Sequence, residues 1–272
     1  MKRWLGMALA LLMLLPGAAA RSEEEISDGI YRGFYYDGGI EQIAIQFEIK
    51  EGLFDSIVYR GIKYKDGDYL SDDASDSQKA IREQYEELAD YLIGKGIEAI
   101  EDLYEPYGIV RDVDAVTTAT FKSSKLISAL WDGIKRRPYK IVGETKLPGA
   151  PPCEDGIYRG AYMEDGVEEV SVEFEIRDGR FVSLSYRALH YKGTDYLSQE
   201  ADPRSQAVAG QFRQVLEYLK DKDIACVNDL YQPGNIASDT DVTTAATLRT
   251  PKVISALWDG ISRNAYERIA EE

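Results

Sequence analysis

The chain is poor in the residue types on which much enzyme chemistry depends. It has one histidine, His190, and two cysteines, Cys153 and Cys226, among 272 residues. A single histidine cannot serve a Ser-His-Asp or Cys-His arrangement in each half of the chain, which argues against hydrolase chemistry of that type. Two cysteines without C-x-x-C spacing leave no zinc or iron–sulfur ligand pattern and no dithiol redox motif. Basic residues are outnumbered, 32 Lys and Arg against 48 Asp and Glu, for a net charge of −16. Such a surface repels the phosphates of nucleic acid and of anionic lipid, and suits a soluble protein that steers basic partners. The only long apolar run, Trp4 to Leu15, is too short to span a bilayer comfortably.

That run has a different use. Met1-Lys2-Arg3 precedes it, and Pro16-Gly17-Ala18-Ala19-Ala20 closes it with small residues. This is the pattern of a secretory signal peptide over residues 1–20, cleaved after Ala20; an uncleaved anchor is the alternative. Removal of Lys2 and Arg3 takes the formal charge from −16 to −16 − 2 = −18. No stable transmembrane anchor is expected after cleavage. The expected location is exported, periplasmic or extracellular, where disulfides are permitted. Cys153 and Cys226 could pair there, or remain two separate thiols.

What the chain does have is repetition. Asp28-Gly29-Ile30-Tyr31-Arg32-Gly33 returns as Asp155-Gly156-Ile157-Tyr158-Arg159-Gly160, an offset of 155 − 28 = 127. The same offset aligns Tyr59-Arg60 with Tyr186-Arg187, Asp102-Leu103-Tyr104 with Asp229-Leu230-Tyr231, and Ser128 to Ile134 with Ser255 to Ile261. A period this long denotes a duplicated domain rather than a solenoid. The expected division is a signal peptide (1–20), domain one (21–145), a Pro/Gly-rich linker (146–152) and domain two (153–272).

Each copy reads alike. Ile30 to Tyr36 reads as a strand, Glu41 to Ile49 alternates apolar and polar residues as a half-buried strand, and Leu53 to Tyr59 reads as a third; Asp37-Gly38-Gly39 and Glu51-Gly52 separate them, which predicts a three-stranded antiparallel meander. Ser77 to Lys95, with Gln206 to Lys220 as its partner, has the apolar spacing of a helix; Ile97 to Tyr104 and Ile224 to Tyr231 predict a second, shorter one. The expected fold class is α+β: two repeated domains, each a small antiparallel sheet packed with helices. The 19 tyrosines read most simply as β-rich core edges with hydroxyls reaching water, and otherwise as an aromatic bed for a flat ring.

The most distinctive repeat is a hydroxyl-rich loop that feeds a helix. Asp114-Ala115-Val116-Thr117-Thr118-Ala119-Thr120 leads into Leu126, Ile127, Leu130, Trp131 and Ile134 at helical spacing. Asp241-Val242-Thr243-Thr244-Ala245-Ala246-Thr247 leads into the matching helix of copy two. Ser123 or Ser124 is expected to cap the first helix, and Thr250, ahead of Pro251, the second. Small residues and free N–H groups at a helix start suit an anion, phosphate above all. The plainer alternative is a helix start whose threonines satisfy nearby backbone.

On these motifs each copy resembles the FMN-binding domain family. That family includes the covalent-flavin subunits of the Na⁺-translocating NADH:quinone reductase and of Rnf-type complexes, and tandem-domain secreted flavoproteins of extracellular electron transfer. The opening D-G-x-Y-x-G matches in both copies. The loop pattern D-A-x-[ST]-G-A-T-x-[ST]-S is met at Asp114, Thr117, Ala119 and Thr120, and at Asp241, Thr244, Ala246 and Thr247. The resemblance implies one FMN per domain, joined to Thr120 and Thr247 by phosphoester bonds that a flavin transferase makes, with redox partner proteins at the cell envelope. Tyr31, Arg32, Tyr158 and Arg159 are candidates for tuning the flavin. Two departures occur in both copies: Thr118 and Ala245 stand where the family has glycine, and Lys122 and Arg249 replace a hydroxyl. A side chain at the glycine position crowds the phosphate, whereas a basic residue can pair with it. Covalent FMN, non-covalent flavin, and a non-flavinylated envelope scaffold with a degenerate loop all remain readings of the sequence. An electron carrier fits these residues better than an enzyme with its own substrate.

Overall fold

The computed structural model describes residues 26–65, 67–110, 122–232, 234, 236 and 250–268. The fold is α+β, with a five-stranded antiparallel sheet and helical cover in each half. The first half runs β1 (Gly29–Asp37), β2 (Ile40–Lys50), β3 (Leu53–Tyr64), β4 (Gly67–Asp68), α1 (Asp76–Leu92), a 3₁₀ helix (Ile97–Tyr104), a 3₁₀ turn (Pro106–Gly108), α2 (Ser123–Lys135) and β5 (Lys140–Ile141). The second runs β6 (Gly156–Glu164), β7 (Val167–Arg177), β8 (Arg180–Tyr191), β9 (Thr194–Asp195), α3 (Pro203–Leu219), a 3₁₀ helix (Ile224–Tyr231), α4 (Thr250–Ile261) and β10 (Glu267–Arg268).

The expected meander is the centre of each sheet, and the structure extends it. Strand order is β4-β3-β2-β1-β5 in one half and β10-β6-β7-β8-β9 in the other. The third strand runs to Tyr64 rather than Tyr59, because Arg60 is the extra residue of a bulge: Tyr59 faces Ile45 while Gly61 faces Ala44. One residue too many breaks the apolar alternation there and turns the strand's side chains. Arg187 is the matching bulge, with Tyr186 opposite Val172 and Ala188 opposite Ser171. The hairpins use paired left-handed residues such as Glu51 (φ 54°) and Gly52 (φ 77°), whose twist suits the flanking strands. The expected second helix of each half winds as 3₁₀ over the expected residues, and Pro106 opens a separate short 3₁₀ turn after the first.

The glycines of the repeated motifs have a packing role. A Cβ on Gly33 would lie 1.8 Å from the Ala129 carbonyl oxygen, and one on Gly160 would lie 1.9 Å from that of Ala256. The helix therefore rests backbone-on-backbone against the first strand. Gly133 and Gly260 complete the crossing, since a Cβ there would meet Phe47 and Phe174 at 2.8 Å. Asp132 locks it by accepting from the Phe34 N–H at 3.0 Å, as Asp259 does from Ala161 N–H at 2.9 Å. Tyr31 stacks on Phe47 and Tyr158 on Phe174, with centroids 5.1 and 5.6 Å apart.

The two halves meet head to tail. Arg32 donates to the Tyr162 hydroxyl at 2.9 Å, and Arg60 pairs with Glu164. Arg136, almost fully buried, binds its own Asp132 and crosses to Asp259 at 2.9 Å and to the Ala161 carbonyl at 2.6 Å. Burial disfavours the Arg136 charge, but the two aspartates outweigh it and hold the guanidinium cationic. The Arg137 guanidinium stacks over Trp258 at 3.9 Å, and the Tyr231 hydroxyl donates to the Pro138 carbonyl at 2.5 Å. Phe34 and Ala44 belong to the core of the second half rather than the first. Residues 146–152, expected as a linker, are held by Arg137, which donates to the carbonyls of Pro148 and Gly149 at 2.6 and 2.7 Å.

Candidate functional site

The loop positions picked out by the sequence, Asp114, Thr117, Thr118, Ala119 and Thr120 with Asp241, Thr244, Ala245, Ala246 and Thr247, lie outside the described residues. The elements that receive them are described, and there the two copies part. α2 begins at Ser123, with Lys122 as its N-cap and no side-chain cap; neither Ser123 nor Ser124 plays that part. Ser124 instead uses its carbonyl to accept from Ser128 Oγ at 2.8 Å. The backbone of Lys122 is pinned by Tyr85, whose hydroxyl donates to the Lys122 carbonyl at 3.2 Å and accepts from its N–H at 3.4 Å. Phe212 stands at the matching place in copy two and has no hydroxyl to offer.

One turn along, the copies diverge further. Lys125 is 6% exposed and lines a narrow cleft with Gln42, Tyr64 and Tyr85, with room for about one water. Its ammonium stands 5.0 Å from the centre of the Tyr64 ring, and among the described residues it forms no ion pair. Burial lowers its pKa, and Lys122 adds to that; Asp37 works against both. Gln42 is buried beside it, and among the described residues its Oε1 has no hydrogen-bond partner. A buried cation at the start of an uncapped helix forms a place where an anion gains both a charge and free N–H groups.

In copy two the equivalent Lys252 is already taken. Its ammonium binds Glu164 at 2.9 Å and also pairs with Glu169. Glu169 replaces Gln42, and Glu164 replaces Asp37. Burial raises the Glu164 pKa, but Arg60 and Lys252 overrule it and bring the carboxyl down to about 2. The chemistry of an open cation at the helix start is thus present in the first copy and neutralised in the second.

The other residues named from sequence serve the fold. Tyr31 and Tyr158 are core residues whose hydroxyls donate to the carbonyls of Ser27 and Glu154. Arg32 stacks on Tyr139 at 3.9 Å, and Arg159 on Tyr266 at 3.7 Å. His190 uses Nδ1 against the Glu168 carbonyl at 3.0 Å. Cys153 and Cys226 are both free thiols, not a disulfide. Burial and nearby Asp229 push the Cys226 thiol up to about 12. Sequence reasoning passed over Lys125 and Gln42. The available signal was the exchange of Gln42 for Glu169 at the common offset, in an otherwise matching strand.

Compared with protein-family models, curated proteins and solved structures, the chain finds no match in any of the three.

Proposed function

We propose that this is an exported FMN-binding electron carrier in which the first copy is the better equipped to hold the flavin. The observation behind the reading is Lys125: a buried ammonium that forms no ion pair among the described residues, at the first turn of α2, the helix entered directly from the threonine loop. Lys125, Lys122 and the first N–H groups of α2 would hold the FMN phosphate, and Thr120 is the hydroxyl that a flavin transferase would use. FMN, when bound, supplies the electron-transfer chemistry. The chain's own part is to neutralise the phosphate charge, to anchor the loop through Tyr85 and to leave the ring accessible to redox partners at the cell envelope. Lys252 is already paired with Glu164 and Glu169, which favours a scaffold role without flavin for the second copy.

The test is fluorescence titration of the purified protein with FMN, together with acid precipitation of protein expressed alongside a flavin transferase. Lys125→Gln is expected to weaken FMN binding about tenfold or more, the worth of one charge-assisted contact. Thr120→Ala is expected to abolish any colour retained in the acid pellet. A colourless pellet from the parent protein together with unquenched FMN contradicts the reading.

A further inference from the structure

The internal joint is made of two different surfaces, and each copy has both. One surface, on the first half, is basic: Arg32, Arg60, Arg136 and Tyr139. It fits a surface on the second half formed by Glu164, Trp258, Asp259 and Tyr231. At the common offset the basic surface reappears on the second half as Arg159, Arg187, Arg263 and Tyr266. The receiving surface reappears on the first half as Asp37, Trp131, Asp132 and Tyr104.

Both reappearances reach solvent, Trp131 and Asp132 half-buried and the residues around them exposed. Tyr266 is 64% exposed and Tyr104 60%, and the side chains of Arg263 and Arg187 are 62% and 47% exposed. Their counterparts inside the joint are covered: the Arg136 side chain is 7% exposed and Trp258 only 1%. Arg263 even repeats the preparation of Arg136, binding the aspartate one turn back at 2.7 Å. The bulge that delivers Arg60 to Glu164 also presents Arg187.

We propose that the chain associates with itself head to tail. The Arg159, Arg187, Arg263 and Tyr266 face of one molecule would dock on the Asp37, Trp131, Asp132 and Tyr104 face of the next. Continuity with the internal joint and opposite charge on the two faces identify the occupant as a second copy. A joint between unlike surfaces leaves one of each open at the ends, so it extends into short chains of molecules rather than closing a pair. The intermolecular joint is weaker than the internal one. Asn264 replaces the stacking Arg137, Ala161 replaces Phe34, and Asp37 is shorter than Glu164. The inference does not depend on flavin.

The test is sedimentation equilibrium of the purified protein at physiological ionic strength, up to about 1 mM, a concentration at which even weak specific joints are half filled. The average mass is expected to rise steadily with concentration past that of a dimer. Two variants at exposed positions sharpen it: Asp37→Lys with Tyr104→Arg blocks the receiving face, and Arg187→Glu with Tyr266→Glu blocks the basic face. Each alone is expected to stay monomeric, and an equimolar mixture to form a one-to-one dimer and nothing larger, since one intact face of each kind remains. The dimer also shows that both variants are folded. A parent protein that stays monomeric throughout, variants that associate like the parent, or a mixture that stays monomeric overturns the proposal.

Discussion

Lys125 and Lys252 hold one position in two copies of one fold, and their neighbours give them opposite tasks. Beside Gln42, Lys125 forms no ion pair among the described residues, whereas Glu169 and Glu164 consume the charge of Lys252. Two exchanges on adjoining strands thus separate a lysine with no ion pair among the described residues from one built into the joint. Glu164 is the hinge of that difference, because it faces Arg32 and Arg60 of the first half as well as Lys252 of its own.

The comparison can be broken first where the copies agree. Gly33→Ala and Gly160→Ala each force a Cβ to within 2 Å of a backbone oxygen. Each is expected to cost more than about 4 kcal/mol in urea unfolding, and to similar extents, since strain against backbone cannot relax cheaply. A small loss in one copy alone would show that its helix rides further from the sheet.

The joint should separate the copies next. Trp258→Ala removes a fully buried ring stacked under Arg137 and is expected to cost about 3–5 kcal/mol, against roughly half that for the half-buried Trp131. Glu164→Gln leaves three cations sharing a neutral amide, with an expected loss of about 2–3 kcal/mol. Asp37→Asn, on the exposed counterpart, should stay within about 0.5 kcal/mol. The same carboxylate sets a pH dependence. Its folded pKa of about 2 lies below the ordinary 4.5, so its contribution is complete above pH 4.5 and lost as pH falls from there toward 2. Acid titration of stability should show that loss in the parent and not in Glu164→Gln.

The smallest effect belongs to copy two alone. With its thiol raised to about 12, Cys226 should react with iodoacetamide at pH 8 about a thousandfold more slowly than a free cysteine, without any change in stability. Mass spectrometry of the alkylated protein reads this directly.

Much of the fold was legible because the determinants are local: glycine turns, the alternation of Glu41 to Ile49 and the helical spacing of apolar residues; the capping box of Ser75 and Gln78 that starts α1 was not read. The repeated Gly33 and Gly133 were visible as motif residues, but their use, a strand and a helix touching through bare backbone, is a tertiary fact. The ends of the third strands were misjudged because a bulge at Arg60 leaves the side-chain pattern out of step. The edge strands β5 and β10 are too short to leave a periodic trace. Of the candidate site, the loops were legible as motifs. Lys125 was not, since a lysine on a helix face reads as solvated until the tyrosines and Gln42 that bury it are folded around it. The head-to-tail joint was equally hidden, because its two surfaces come from strands and helix ends far apart in sequence.

The most direct test of the account is the flavin content per chain of protein expressed with a flavin transferase and then saturated with FMN, read as visible absorbance against protein concentration. The account predicts about one flavin per chain, with about tenfold more FMN needed to reach it in Lys125→Gln. Two per chain would show that capture of Lys252 by Glu164 and Glu169 does not disable the second copy, and none would remove the redox reading altogether.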